Sequence, residues 1–163
     1  MPAINIHSFN LDYYSGYEGE NEVRFYANPK EIEFRMNVTN HVAGYMSEIQ
    51  LNQGEQGIYH FSLWDGYFDS LMRQMFEIET EYSRLPEFIR NWNESKGWCD
   101  SLIDIDLISS QDLNWFIEKI DIVTRNVKVN SEWGTLNYDC YNNLNRFLQF
   151  VKLNDWELRI CNE

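Results

Sequence analysis

The feature that most constrains the fold is a change of hydrophobic period within residues 57–84. Over residues 58–64 apolar side chains occupy both faces of an extended chain, which is typical of a strand inside a covered sheet. Beyond Asp65 the apolar side chains recur at intervals of three and four residues, which places them on one face of a helix. The pattern predicts a strand that leads directly into an amphipathic helix, with Asp65 as its N-cap and an end near Arg84.

The segments on the two sides of this junction differ in kind. Extended patterns precede it at residues 3–9, 22–27, 31–38 and 45–51, with the clearest alternation over 31–38. Helical patterns follow it, in segments that begin at Pro86, with Ser110 as a cap, and at residue 136, before a last extended segment at 156–161. The sequence therefore predicts that most strands precede the helices along the chain and that the helices cover the sheet.

Short connections between the successive strands favour an antiparallel meander, because a parallel pair needs a long crossover. A chain of 163 residues suits one domain with a single core. We therefore predict one α+β domain spanning residues 1–163. In it, an antiparallel sheet of about five strands packs against about four helices.

The charge balance limits the kinds of partner. The chain has 13 basic and 26 acidic residues, and its formal net charge is −13. Such a surface repels phosphate backbones, so we expect no direct contact with nucleic acid. A basic protein is the better candidate because complementary charge accelerates encounter, although a high net charge also serves solubility alone.

The sequence indicates a cytoplasmic location. No basic region followed by an apolar core marks a signal peptide, and no apolar run is long enough to span a bilayer, so we expect no membrane contact. The three cysteines, Cys99, Cys140 and Cys161, lack the spacing of metal ligands. We expect all three to be reduced thiols, as is usual in the cytoplasm.

The histidines are the first residues to consider for catalysis. His60 lies within the predicted central strand, where a packed or hydrogen-bonded ring is the simpler interpretation, and His41 lies in a loop that could shape a pocket. Neither is near a serine or cysteine on a recognisable nucleophile elbow. No catalytic residue is therefore predicted, and the chain is not expected to be an enzyme. A small hydrolase or transferase that uses His41 or His60 with a carboxylate remains an alternative.

Two further motifs have some features of metal or phosphate sites. Asp104 and Asp106 would lie on the same side of a strand, with Asp100 nearby, but this spacing is common by chance and no metal is predicted. Gly54 and Gly57 lack the spacing and the lysine of a phosphate-binding loop. We therefore expect no cofactor.

The most suggestive surface segment is the loop at residues 12–22, here called the tyrosine–acid loop. Tyrosines supply large and fairly rigid contact area, serine and glycine let the backbone adapt, and acids supply charge. The alternative is a loop folded back so that its tyrosines cover the sheet. The predicted partner-binding residues are Asp12, Tyr13, Tyr14, Tyr17, Glu18, Glu20 and Glu22.

A short, acidic, aromatic-rich domain without catalytic motifs resembles the bacterial immunity proteins of contact-dependent growth inhibition and related polymorphic toxin systems. The resemblance covers the whole chain and includes no diagnostic motif. It implies a non-catalytic protein that binds and neutralises a cognate toxin, expected to be a basic nuclease domain. An acidic nucleic-acid mimic that inhibits a defence nuclease is a further alternative, and the sequence does not separate it from the first.

Overall fold

A computed structural model describes residues 6, 9–32, 38–40, 47–49, 54, 57–94, 106–127 and 132–162. The seven strands within these residues are β1 (Asp12–Tyr13), β2 (Glu22–Asn28), β3 (Val38–Asn40), β4 (Ser47–Ile49), β5 (Tyr59–Trp64), β6 (Asp106–Ile108) and β7 (Glu157–Asn162). The four helices are α1 (Asp65–Ile78), α2 (Glu87–Asn93), α3 (Ser110–Asn126) and α4 (Glu132–Leu153).

Five of the strands form one mixed sheet in the order β1-β5-β2-β7-β6, and β3 and β4 form a separate pair. Strand β2 pairs antiparallel with β5 and β7, and β6 pairs antiparallel with β7. The short β1 instead runs parallel to β5 at the edge of the sheet. The predicted α+β class is confirmed. The parallel strand β1 departs from the antiparallel prediction, since a long stretch of chain separates it from β5.

One face of the sheet packs against the helices and forms the hydrophobic core. Phe25 in β2 lies with its ring centroid 6.2 Å from that of Phe68 in α1 and 5.9 Å from that of Phe116 in α3. Phe61 in β5 lies 5.9 Å from Phe147 in α4 by the same measure. All five rings are fully buried. The helices therefore attach to the sheet through contacts between aromatic rings.

The opposite face of the sheet carries polar side chains that are also largely covered. Because Val23, Phe25 and Ala27 belong to the core, the alternate β2 residues point the other way. Among these, Tyr26 and Asn28 are fully buried. Strand β5 adds two more polar groups to this face, since its residues pair directly with β2. The polar face therefore contains Glu22, Arg24, Tyr26, Asn28, His60 and Ser62.

Helix α1 begins at the predicted junction but is shorter than predicted. It ends at Ile78, and a separate 3-10 turn covers Tyr82–Arg84. Thr80 and Glu81 are exposed, so no packing holds the intervening residues in the helix. The prediction that Asp65 caps the helix is also wrong. Trp64 occupies the N-cap position, and Asp65 is the first helical residue, where its carboxylate still faces the positive end of the helix.

The other boundaries lie close to their predictions. Helix α3 is capped by Ser109, whose hydroxyl oxygen accepts a hydrogen bond from the amide of Asp112 at 3.1 Å, rather than by Ser110. Pro86 precedes the first residue of α2 instead of being that residue. Strands β2, β4, β5 and β7 lie within about one residue of predicted segments or inside them. The predicted strands at 3–9 and 31–38 fall mostly outside the described residues.

The cysteines differ from the expectation of reduced thiols. Cys140 is a free, buried thiol, and burial raises its pKa well above the ordinary value. Cys161 is disulfide-bonded, so the prediction is wrong for this residue. Sequence spacing does not reveal which cysteines meet in the fold. Within the part of the chain that the structure describes, no helix is both long and apolar enough to cross a membrane.

Candidate functional site

The tyrosine–acid loop is an ordered turn structure. The carboxylate of Asp12 accepts hydrogen bonds from the amides of Tyr14 and Ser15, at 2.9 and 3.1 Å, and from the Ser15 hydroxyl. Two successive turns follow, in which the amide of Tyr17 donates to the carbonyl of Tyr14 and the amide of Glu20 donates to the carbonyl of Tyr17. These contacts fix the backbone of the loop without help from a partner.

Tyr13 and Tyr17 both pack toward the body of the protein, as in the folded-back alternative. The ring of Tyr13 stacks on the core residue Phe61 with centroids 5.6 Å apart, and its hydroxyl accepts a hydrogen bond from the Asn143 amide in α4. Burial raises the pKa of Tyr13. Tyr13 thus attaches β1 to α4 and has little surface left for a partner.

Tyr17 belongs to an aromatic cluster at the start of α1. Its ring stacks on Trp64 with centroids 4.4 Å apart and planes 5° apart, and its hydroxyl lies 2.9 Å from that of Tyr67. Gly66 makes this stack possible, since a β-carbon there would lie 2.3 Å from the Trp64 indole. The loop is also joined to α1 through its backbone, because the amide of Asp65 donates to the carbonyl of Asn21 at 3.0 Å.

The Tyr17 stack yields a first prediction. Tyr17→Phe keeps the ring and loses the hydroxyl, so we expect it to lower the unfolding free energy by about 0.5–1.5 kcal/mol. Tyr17→Ala also loses the stack, and we expect a total loss of about 2–3 kcal/mol together with faster hydrogen exchange at the Glu20 amide. Urea unfolding and hydrogen exchange measure the two effects. Equal stability for wild type and Tyr17→Ala would show that the stack does not hold the loop.

The remaining loop residues divide by exposure. Tyr14 is half-buried, and its hydroxyl donates to the Glu20 carbonyl at 2.6 Å. Glu18 and Glu20 are exposed. Glu18 accepts from the amide of Gly16 at 3.0 and 3.1 Å, and this hydrogen bonding lowers its pKa. The carboxylates of Glu18 and Glu20 therefore lie on the outer side of a loop whose backbone is fixed by its own hydrogen bonds.

Glu22 differs from the other loop acids because it is buried, with 5% of its surface exposed. Both of its carboxylate oxygens accept from the Nε of Arg24, at 2.8 and 2.9 Å. Arg24 also donates to the Tyr26 hydroxyl at 3.1 Å. Removing the Glu22 charge would break this ion pair in a partly buried site, so Glu22 contributes to the structure of the polar face.

An open cleft of about 550 Å³ lies beside the inner side of the loop, over the polar face of the sheet. The loop contributes Asp12 and Tyr14 to its lining, and the sheet contributes Arg24, His60 and Ser62. Burial tends to raise the pKa of Asp12, but the hydrogen bonds from Ser15 and the loop amides outweigh it, so the pKa lies below its ordinary value. Asp12 therefore stays ionised at neutral pH.

His60 lines the cleft but is poorly suited to act as a general base. Burial lowers its pKa to about 4, the charge of Arg24 adds to the decrease, and Asp12 opposes it. A general base works best when its pKa lies near the working pH, and His60 binds protons too weakly at pH 7 to meet that condition. Its neutral ring can donate one hydrogen bond and accept another.

Several candidates from the sequence lie outside the described residues, namely His41, Asp100 and Asp104. Within the described ranges, no group of three or more histidine, cysteine or acidic side chains could hold a metal ion. Sequence reasoning missed Arg24 and Ser62. Arg24 could have been found, since Glu22 and Arg24 are two residues apart in a strand and so share a face.

No family model matches the chain, and no curated protein or solved structure matches it significantly.

Proposed function

We propose that the protein is a non-catalytic inhibitor of the immunity-protein type, which binds a basic protein partner through the exposed carboxylates of the tyrosine–acid loop. The observation that carries the proposal is the contrast between Glu18 and Glu20, which are exposed, and the loop backbone, which is fixed by its own contacts. A loop ordered before binding loses less conformational entropy when a partner arrives. In the proposal the tyrosines therefore support the binding surface, and the acids form it.

The net charge of −13 supports the same partner class. Long-range attraction raises the rate at which a basic protein meets an acidic one, whereas the same negative charge repels nucleic acid. A basic nuclease domain presents a positive surface to its substrate, and the exposed carboxylates of Glu18 and Glu20 carry the opposite charge. We therefore propose a nuclease-type toxin as the partner, with a defence nuclease as the related alternative.

A second candidate is a hydrolase or transferase centred on His60. It is favoured by one observation, that His60, Ser62 and Asp12 line the same cleft. The low pKa of His60 weighs against this candidate, because a general base works best when its pKa lies near the working pH. If the enzyme proposal is right, His60→Gln abolishes a measurable turnover while leaving partner binding unchanged.

The compartment proposed from the sequence is the cytoplasm. The disulfide at Cys161 weighs against it, because structural disulfides are rare in reducing compartments. The binding proposal is the same in either compartment, since it depends on exposed carboxylates and on the charge of the partner.

Partner capture with matched variants tests the proposed function. Wild type, Glu18→Lys with Glu20→Lys, and a control pair, Glu77→Lys with Glu118→Lys, are immobilised and exposed to a lysate of the source organism. The control acids are exposed on α1 and α3, and both pairs change the net charge equally. We expect wild type and the control to retain one basic protein, and the loop pair to retain roughly tenfold less. Equal retention by both pairs would show that the loop is not the contact surface.

A further inference from the structure

The cleft beside the tyrosine–acid loop has features that the outer acids do not share. Its volume, about 550 Å³, lies within the range of small-ligand sites, roughly 300–1,000 Å³. Ile6, Phe9 and Leu11 form an apolar part of its lining, while Asp12, Arg24 and His60 form a polar part. Such a lining fits a guest that has an apolar stem and a polar end.

The charges in the cleft indicate the sign of that polar end. Arg24 forms an ion pair with Glu22, whose two carboxylate oxygens accept hydrogen bonds from its Nε. His60 is held neutral by burial and by the nearby Arg24. Among the described residues that line the cleft, the charged side chains are two carboxylates, Asp12 and Glu22, and one guanidinium, Arg24, so this lining has a net negative charge. A cation is the guest that this balance favours, and the negative field of the whole protein strengthens that preference.

We propose that the cleft receives an alkyl cation, supplied by an arginine or lysine side chain of the basic partner. This proposal rests on the proposed function and adds an anchoring pocket to it. The stem of the guest packs on Phe9 and Leu11, and its charged end lies near Asp12. The stem of such a guest becomes buried on binding, and buried apolar contacts contribute more binding energy than exposed charges at the rim of an interface.

Titration with blocked amino acids, followed by NMR, tests the pocket without a partner. N-acetyl-arginine methylamide is the probe, and its citrulline equivalent is the matched control, with nearly the same shape but no charge. We expect saturable shifts of the Asp12, His60 and Ser62 amides in the roughly millimolar range for arginine. The citrulline compound should bind about five- to tenfold more weakly. Equal binding of the two compounds, or no saturation, would overturn the proposal.

Two variants and one further probe separate the remaining outcomes. Asp12→Asn keeps an oxygen that accepts from the loop amides but removes the charge. We therefore expect it to weaken the binding of the arginine probe about five- to tenfold. Glu18→Lys with Glu20→Lys should leave the titration unchanged while it reduces partner capture. If the loop pair abolishes capture and Asp12→Asn changes neither measurement, the pocket is wrong and the proposed function stands. If N-acetylagmatine, which has the same guanidinium and the same single charge, binds much more tightly than blocked arginine, a small molecule is the occupant and the side-chain source is wrong.

Discussion

Replacing Phe25 with alanine is expected to lower the unfolding free energy by about 3–5 kcal/mol, which is the largest single effect the fold predicts. Phe25 is fully buried in the central strand β2, and its ring meets Phe68 of α1 and Phe116 of α3. Truncation removes apolar burial and leaves a cavity where the sheet joins two helices. Neighbouring strands and helices hold the site on all sides, so little collapse can fill the space.

Urea unfolding followed by circular dichroism measures this effect. The control is Tyr82→Ala, which also removes an aromatic ring, but at a position that is 42% exposed. We expect the control to change the unfolding free energy by about 0.5 kcal/mol or less. A loss below roughly 1.5 kcal/mol for Phe25→Ala would contradict the packing of β2 against both helices.

His60 is expected to make the protein less stable as the pH falls from about 6.5 toward 4. Its pKa in the folded protein is about 4, against an ordinary value of 6.5. In this range the unfolded chain takes up a proton that the folded protein does not, so protonation favours unfolding. The stabilisation is fully present above pH 6.5, is lost progressively down to about pH 4, and amounts to roughly 3 kcal/mol at most.

The comparison of wild type with His60→Gln at pH 7 and pH 5 isolates this contribution. Glutamine is neutral at both values, so its own effect on stability cancels when the two pH values are compared. We expect wild type to lose about 2 kcal/mol more than the variant between pH 7 and pH 5. Equal losses would show that His60 titrates normally in the folded protein and is not held neutral in the cleft.

The sequence predicts the strands and helices whose hydrophobic spacing is regular. The strand β5, helix α1 and their junction follow from a change in hydrophobic spacing that is visible in the sequence. The parallel pairing of Asp12–Tyr13 with β5 could not be predicted, because it joins segments about fifty residues apart without a local signal. The early end of α1 has a similar cause, since helical pattern continues to residue 84 while the packing that supports it stops at Ile78.

The candidate site was predicted by composition more than by geometry. Composition groups Glu18, Glu20 and Glu22 together, but in the structure Glu18 and Glu20 are exposed while Glu22 is buried. The inward packing of Tyr17 depends on the position of Trp64, which is set by tertiary contacts; Gly66, which leaves room for the indole, is visible in the sequence, but its role is not. The burial of Glu22 depends on Arg24, and only the shared face of a strand connects the two in sequence.

The salt dependence of association with the captured partner shows whether the partner binds the tyrosine–acid loop. Association rates are measured at about 0.05 and 0.5 M salt for wild type, the Glu18→Lys and Glu20→Lys pair, and the Glu77→Lys and Glu118→Lys control. We expect the association rates of wild type and the control to fall roughly tenfold or more at high salt, while the rate of the loop pair is low at both concentrations. If the loop pair matches wild type at low salt, the partner does not meet the tyrosine–acid loop, and the proposed binding surface is wrong.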